Sequence, residues 1–188
     1  MTGAAERVDE VAKVFEQVGY HVTRATNHER LSEICASLGP KSIDCYVQLP
    51  GRIEARGDTV VARVRNFLSD GLIRRFDAVA EILPALRPGG SVLLVAGNHP
   101  ADSTGPDDQR ARLSLLSVLA HALVTERGGT GVTVTILDHQ RTPQELAEIA
   151  QSPGDRPVRL IARLAEIEPE LDYDDWRNEV LALTTTDT

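Results

Sequence analysis

Seven consecutive residues, Ser91-Val92-Leu93-Leu94-Val95-Ala96-Gly97, follow directly on Pro88-Gly89-Gly90 and carry no charge. A run this short and this apolar, with no polar alternation, is what a β-strand covered by helices on both faces requires. Gly131 to Leu137 (GVTVTIL) and Ile43 to Leu49 (IDCYVQL) are runs of similar length, the latter closed by Pro50-Gly51. The segments around them have apolar residues three and four apart, the spacing of one buried helical face. Strands alternating with helices predict α/β architecture: a single Rossmann-like domain over residues 1–188 with a doubly wound parallel sheet and right-handed crossovers.

The helical segments can be placed from their stripes and stop signals. Residues 4–18 carry Val8, Val11, Ala12, Phe15 and Val18 on one face, and Gly19 is suited to end that helix. Tyr20 to Thr26 then reads as a short strand. Asn27 can cap a second helix bearing Leu31, Ile34, Cys35 and Leu38, closed by Gly39-Pro40. Thr59 to Leu86 reads as one long helical stretch, with Gly71 marking a bend and Pro84 an end. Residues 98–108 are loop-like, 109–127 helical, and Thr142 to Gln151 a short helix. Residues 152–188 form a partly helical C-terminal extension in which Tyr173 and Trp176 serve as packing anchors. Val92, Leu94 and Val132 or Val134 are expected core strand positions.

Composition narrows the function classes. The chain has 188 residues, 41% hydrophobic and 26% charged, enough to bury a core without disulfides. Its two cysteines, Cys35 and Cys45, lack CxxC spacing and suit a reduced compartment. A net charge of −8 opposes nonspecific nucleic-acid binding, since phosphates demand a basic face. No apolar run approaches the roughly 20 residues of a membrane span, and MTGAAERVDE lacks the pattern of a signal peptide. The expectation is a cytoplasmic protein without membrane or nucleic-acid partners.

Residues with chemical potential are few. The five histidines (21, 28, 99, 121 and 139) show no HxxxH or HExxH spacing, so no metal site is expected and solvated or capping roles are assigned. Ser103 and His99 lack the G-x-S-x-G elbow of a nucleophile. Asp107-Asp108 suits a helix N-terminus. Gly97-Asn98-His99 follows a strand's carboxyl end, where open α/β sheets place ligands. With Gly51 after the preceding strand, these residues are either a candidate ligand crevice or a plain loop. Arg63, Arg65, Arg74 and Arg75 read as a solvated helical face paired with Asp70, Asp77 and Glu81, or as an anion patch.

Three stretches carry a resemblance. IDCYVQLPG, the segment from Asn66 through FDAVAEILPALRPGGSVLLVAG, and AHALVTERGGTGVTVTIL resemble successive strands and helices of the short-chain dehydrogenase/reductase (SDR) superfamily. TGAAERVDEVAKVFEQVG resembles the family's first turn and helix. The resemblance implies a Rossmann-type fold and pairing through two interface helices. It does not bring the chemistry. The family's glycine-rich turn is replaced by Gly3-Ala4-Ala5-Glu6-Arg7-Val8-Asp9, with one glycine and two carboxylates where a pyrophosphate would lie. Gln109 and Leu113 stand where the family's tyrosine and lysine belong, so no titratable proton donor is present. The serine position falls at or near Gly97-Asn98. Asn66 matches the family's helix asparagine.

The spacing also leaves about twenty residues between the first two strands, one βα unit fewer than the family places there. A reduced sheet of about four to five strands follows, with Tyr20–Thr26 in the central position. The expected function is a noncatalytic SDR-like protein acting by association, as a homodimer or as the inactive subunit of an SDR-type partner, without cofactor. The alternative is a small-molecule or nucleotide sensor using the crevice. Helices 59–86 and 109–127 carry more apolar positions than one stripe needs. Val64, Phe67, Leu68, Leu72, Leu115, Leu116 and Leu119 are therefore the candidate interface.

Overall fold

The computed structural model describes residues 1–25, 28–51, 57–69, 73–97, 116–126, 128–137 and 140–152, with backbone alone for 28, 29, 64, 67, 68 and 128. The elements are α1 (Ala5–Gln17), α2 (His28–Leu38), β1 (Ile43–Gln48), α3 (Val60–Leu68), α4 (Arg74–Ile82), β2 (Leu86–Val95), α5 (116–126), β3 (Thr133–Leu137) and α6 (Pro143–Gln151). Strands β1, β2 and β3 form a parallel sheet in that order. Tyr46 pairs with Val92, and Val92 with Val134, so the apolar runs lie side by side.

Period-two alternation sorts the side chains to opposite faces. On one face Tyr46, Val92, Leu94, Ala96, Val134 and Ile136 pack against Leu31 of α2, Val79 and Ile82 of α4, and Leu116, Leu119, Ala120 and Leu123 of α5. On the other, Val47, Leu49, Leu93, Val95 and Leu137 meet Val8, Val11 and Phe15 of α1 and Leu146, Ala147 and Ala150 of α6. Helices thus cover both faces, and the architecture is a reduced, Rossmann-like α/β fold. Leu93 and Leu94 are both fully buried, as the unbroken run predicts. Helix α6 starts where Thr142 and Glu145 form a reciprocal capping box.

Several expectations are corrected. Tyr20–Thr26 is not a strand in the described residues 20–25: only Ala25 forms an isolated bridge, to Thr2. The central position belongs instead to Thr2, which bridges in parallel to both Ala25 and Gln48. Its N–H donates to Val47 O (3.0 Å) and its carbonyl accepts from Leu49 N (2.8 Å), so two residues suffice to extend the sheet past β1. Among the described residues the sheet has three strands.

Within the expected helical stretch lie α3 and α4, with π-helical backbone at Ser69 and Ile73, a wider winding than the α-helix; the bend expected at Gly71 lies outside the described residues. Leu86 belongs to β2 rather than to the helix: it pairs with Ile43, and the register then jumps to Cys45–Ser91. The extra residues, Arg87 to Gly90, form a bulge. A Cβ at Gly90 would fall 2.9 Å from Arg87 O and 3.1 Å from Asp44 O, so the bulge needs glycine there.

Candidate functional site

The carboxyl ends of parallel strands gather backbone carbonyls and the loops that follow them, which is why ligands of open α/β sheets lie there. Here that edge is built from Thr2, Gly3, Gln48 to Gly51, and Val95 to Gly97. Gly3 has φ +144°, and a Cβ on it would sit 2.6 Å from Leu49 Cβ. The chain therefore passes closer to β1 than any other residue allows. Ala4 N then donates to Pro50 O (3.1 Å), which locks the turn before α1. Ala4 caps α1 without a side-chain acceptor, and Glu6 lies exposed in the first turn. That carboxylate offsets the positive end of the helix dipole where an anion would otherwise be favoured.

Beneath this edge lies a polar network. Arg75 Nε donates to Gln48 Oε1 (2.8 Å), while Nη2 donates to Val95 O (2.8 Å) and Gln48 O (3.3 Å). Gln48 Nε2 donates to Arg75 O (3.0 Å) and to Tyr46 Oη (3.3 Å), whose hydroxyl also meets Thr2 Oγ1 at 2.8 Å. Gln48 and Tyr46 are buried. Burial lowers the Arg75 pKa to about 10, so the side chain remains a cation at neutral pH. Burial likewise raises the Tyr46 pKa, and its bonds to Thr2 and Gln48 act in the opposite sense.

Arg75 corrects the solvated-face reading. Arg63, Arg65 and Arg74 are exposed, and Arg63 Nε donates to Gly57 O (2.9 Å), but Arg75 turns inward. The signal was in the sequence: Arg75 stands four and seven residues before Val79 and Ile82, the buried stripe of α4.

Of the expected crevice, Gly51 is exposed after β1 and Gly97 half-buried after β2. Asn98, His99 and Pro100 lie outside the described residues, as do Ser103, Asp107, Asp108, Gln109, Leu113, Tyr173 and Trp176. Among the interface candidates, Leu72 and Leu115 also lie outside, and Val64, Phe67 and Leu68 contribute backbone only. Leu116 and Leu119 are 3% exposed within this chain's own core, so sheet packing alone accounts for their apolar character. His121 is not solvated as expected but 2% exposed on α5, where burial lowers its pKa. No three His, Cys, Asp or Glu residues among those described are grouped to hold a metal ion, and no described helix is long and apolar enough to cross a membrane.

No family model matches the chain, and no curated protein matches it by sequence. Solved structures do. BdcA (YjgI) from E. coli is 18% identical, with a TM-score of 0.49 over 79% of this chain and 74% of that one. BdcA in complex with NADPH is 15% identical, with a TM-score of 0.51 over 89% of this chain and 76% of that one. At such identity the likeness speaks to fold alone: this chain has the Rossmann-like α/β fold, in reduced form, that it shares with BdcA in complex with NADPH.

Proposed function

We propose that the chain is a noncatalytic SDR-like protein that acts through association, as a homodimer or as the inactive subunit beside an active reductase. One observation carries the reading. Val60 and Val61 on α3 and Ile73 ahead of α4 are 76%, 78% and 57% exposed, within the 59–86 stretch expected to build an interface. Large apolar side chains exposed to solvent favour burial against a second chain, and isologous pairing covers both copies at once. The absence of catalysis rests on residue chemistry: Gln109 and Leu113 supply neither proton nor charge, and Glu6 opposes a pyrophosphate. Light scattering at micromolar concentration is expected to give a dimer mass, and Val61→Asp a folded monomer. A monomeric unaltered chain purified alone, with no mass gain beside a reductase encoded next to it, overturns the association. Turnover of any ketone with NADPH overturns the noncatalytic part.

A second reading, a nucleotide sensor, is favoured by the fold likeness to BdcA in complex with NADPH and by the Arg75 cation at the strand ends. Ligand at 100 times its Kd would raise stability by about 2.7 kcal/mol. A thermal-shift series with NADPH and common nucleotides separates the two, since the association reading expects no shift.

A further inference from the structure

The hydrogen bonds around Arg75 can be given a direction. A guanidinium only donates, so the Gln48 oxygen 2.8 Å from Arg75 Nε is an acceptor, which fixes the amide. Gln48 Nε2 then donates to Tyr46 Oη (3.3 Å), and Tyr46 is fully buried. Among the described residues, the phenol's own hydrogen has Thr2 Oγ1 as its acceptor, at 2.8 Å. Tyr46 therefore donates to Thr2, and the half-buried Thr2 hydroxyl keeps its hydrogen for another partner.

The other end of the network also has donors to spare. The hydrogen on Arg75 Nε serves Gln48 Oε1, and the pair on Nη2 serves Val95 O and Gln48 O. The pair on Nη1 has no acceptor among the described residues, and no described carboxylate pairs with Arg75. A half-buried cation is thus held at the ends of β1 and β2 without an opposing charge. Buried charges are ordinarily paired, because the loss of hydration is repaid only by an opposite charge. Donors at both ends and an unmatched cation call for a ligand made of acceptors.

We propose that the carboxyl ends of β1 and β2 bind a small monocarboxylate, one of whose oxygens accepts from Arg75 Nη1, with the Thr2 hydroxyl as a further donor at the same edge. The proposal rests on the second reading above, that a ligand lies at this edge, and names a class other than a nucleotide. One cation balances one negative charge. A phosphate monoester at neutral pH carries about two, and the excess would fall among the Gln48 and Val95 carbonyls that already hold the guanidinium. Space is open beside the site: a Cβ on Gly51, which follows β1, would meet nothing within 4 Å.

The test is an NMR titration of the isotope-labelled full chain with propionate, propionamide, inorganic phosphate and NADPH at constant ionic strength. Propionate is expected to shift the Arg75 Nε–H and Gly97 amide signals saturably. Propionamide, equal in size but uncharged, should leave them in place. Arg75→Gln should weaken propionate binding by about tenfold or more, the cost of a charge-assisted hydrogen bond. Thr2→Val, which leaves the Arg75 bonds intact, should weaken it by about fivefold, so a role for the network is read even if the first variant does not fold. Equal shifts with propionate and propionamide, or unaltered propionate affinity in both variants, overturn the proposal. Shifts with phosphate or NADPH that match or exceed those with propionate overturn the carboxylate assignment and leave the nucleotide reading standing. No shift with any of the four overturns the proposal and that reading together.

Discussion

Arg75 Nε lies 2.8 Å from Gln48 Oε1, and Gln48 Nε2 lies 3.0 Å from Arg75 O, so the two residues bond reciprocally, with the helix backbone included. The second guanidinium nitrogen spans to Val95 O, which ties α4 to the ends of both β1 and β2. A guanidinium is suited to this because its planar fork presents several donors in fixed directions.

Removing the fork should therefore cost more than removing the charge. Arg75→Met leaves the Gln48 amide and two strand carbonyls without a donor, with an expected loss of about 2–3 kcal/mol in urea denaturation. Arg75→Lys keeps the cation but not the geometry, and most of the loss should persist. Full recovery with lysine would show that charge alone matters.

Leu94 has no exposure and faces α2, α4 and α5 across the sheet. Leu94→Ala opens a cavity in a dense core, with an expected cost of about 2–5 kcal/mol. A loss of under about 1 kcal/mol in the same assay would contradict the central place of β2.

Gly3 is constrained twice, by φ +144° and by the 2.6 Å approach its Cβ would make to Leu49. Gly3→Ala must push the turn away from β1 and stretch the Leu49 N to Thr2 O bond. The expected destabilisation is about 1–3 kcal/mol. Amide exchange at Leu49 should accelerate by more than exchange at Leu93, and equal acceleration would mean global loosening instead.

His121 introduces a pH dependence whose sign follows from burial. The folded chain holds the ring neutral below its ordinary pKa of 6.5, because burial lowers the folded value. As pH falls below 6.5 the unfolded chain takes up a proton that the folded chain resists, so stability is lost toward acid. The urea midpoint should fall between about pH 7 and about pH 5, and His121→Gln should flatten that part of the profile. An unchanged slope in the variant would remove His121 as the cause.

Much of the domain was legible before any coordinates. The stripe Val8, Val11, Ala12, Phe15 is the buried face of α1, the Ser91–Ala96 run is the doubly covered strand, and Pro84 lies in the turn after α4. These are local properties, since a stripe or an unbroken apolar run is decided by which side chains shun water within one element. The start of α6 was equally local, because Thr142 and Glu145 satisfy each other's backbone within one turn.

What the chain could not declare by itself was partnership between distant segments. Tyr20–Thr26 has the apolar content of a strand, yet Thr2 holds the central bridges, because pairing depends on which backbone reaches β1 and not on propensity. Leu86 fits a helical stripe and a strand equally well, and its pairing with Ile43 decided between them. Arg75 reads as a surface cation until α4 is laid across the ends of β1 and β2, where strand carbonyls from residues 48 and 95 become its acceptors. The sequence by itself determined which residues must be buried and with what period. The tertiary structure decided which neighbour buries them, because hydrogen bonds and packing between segments far apart in the chain leave no local trace in its pattern.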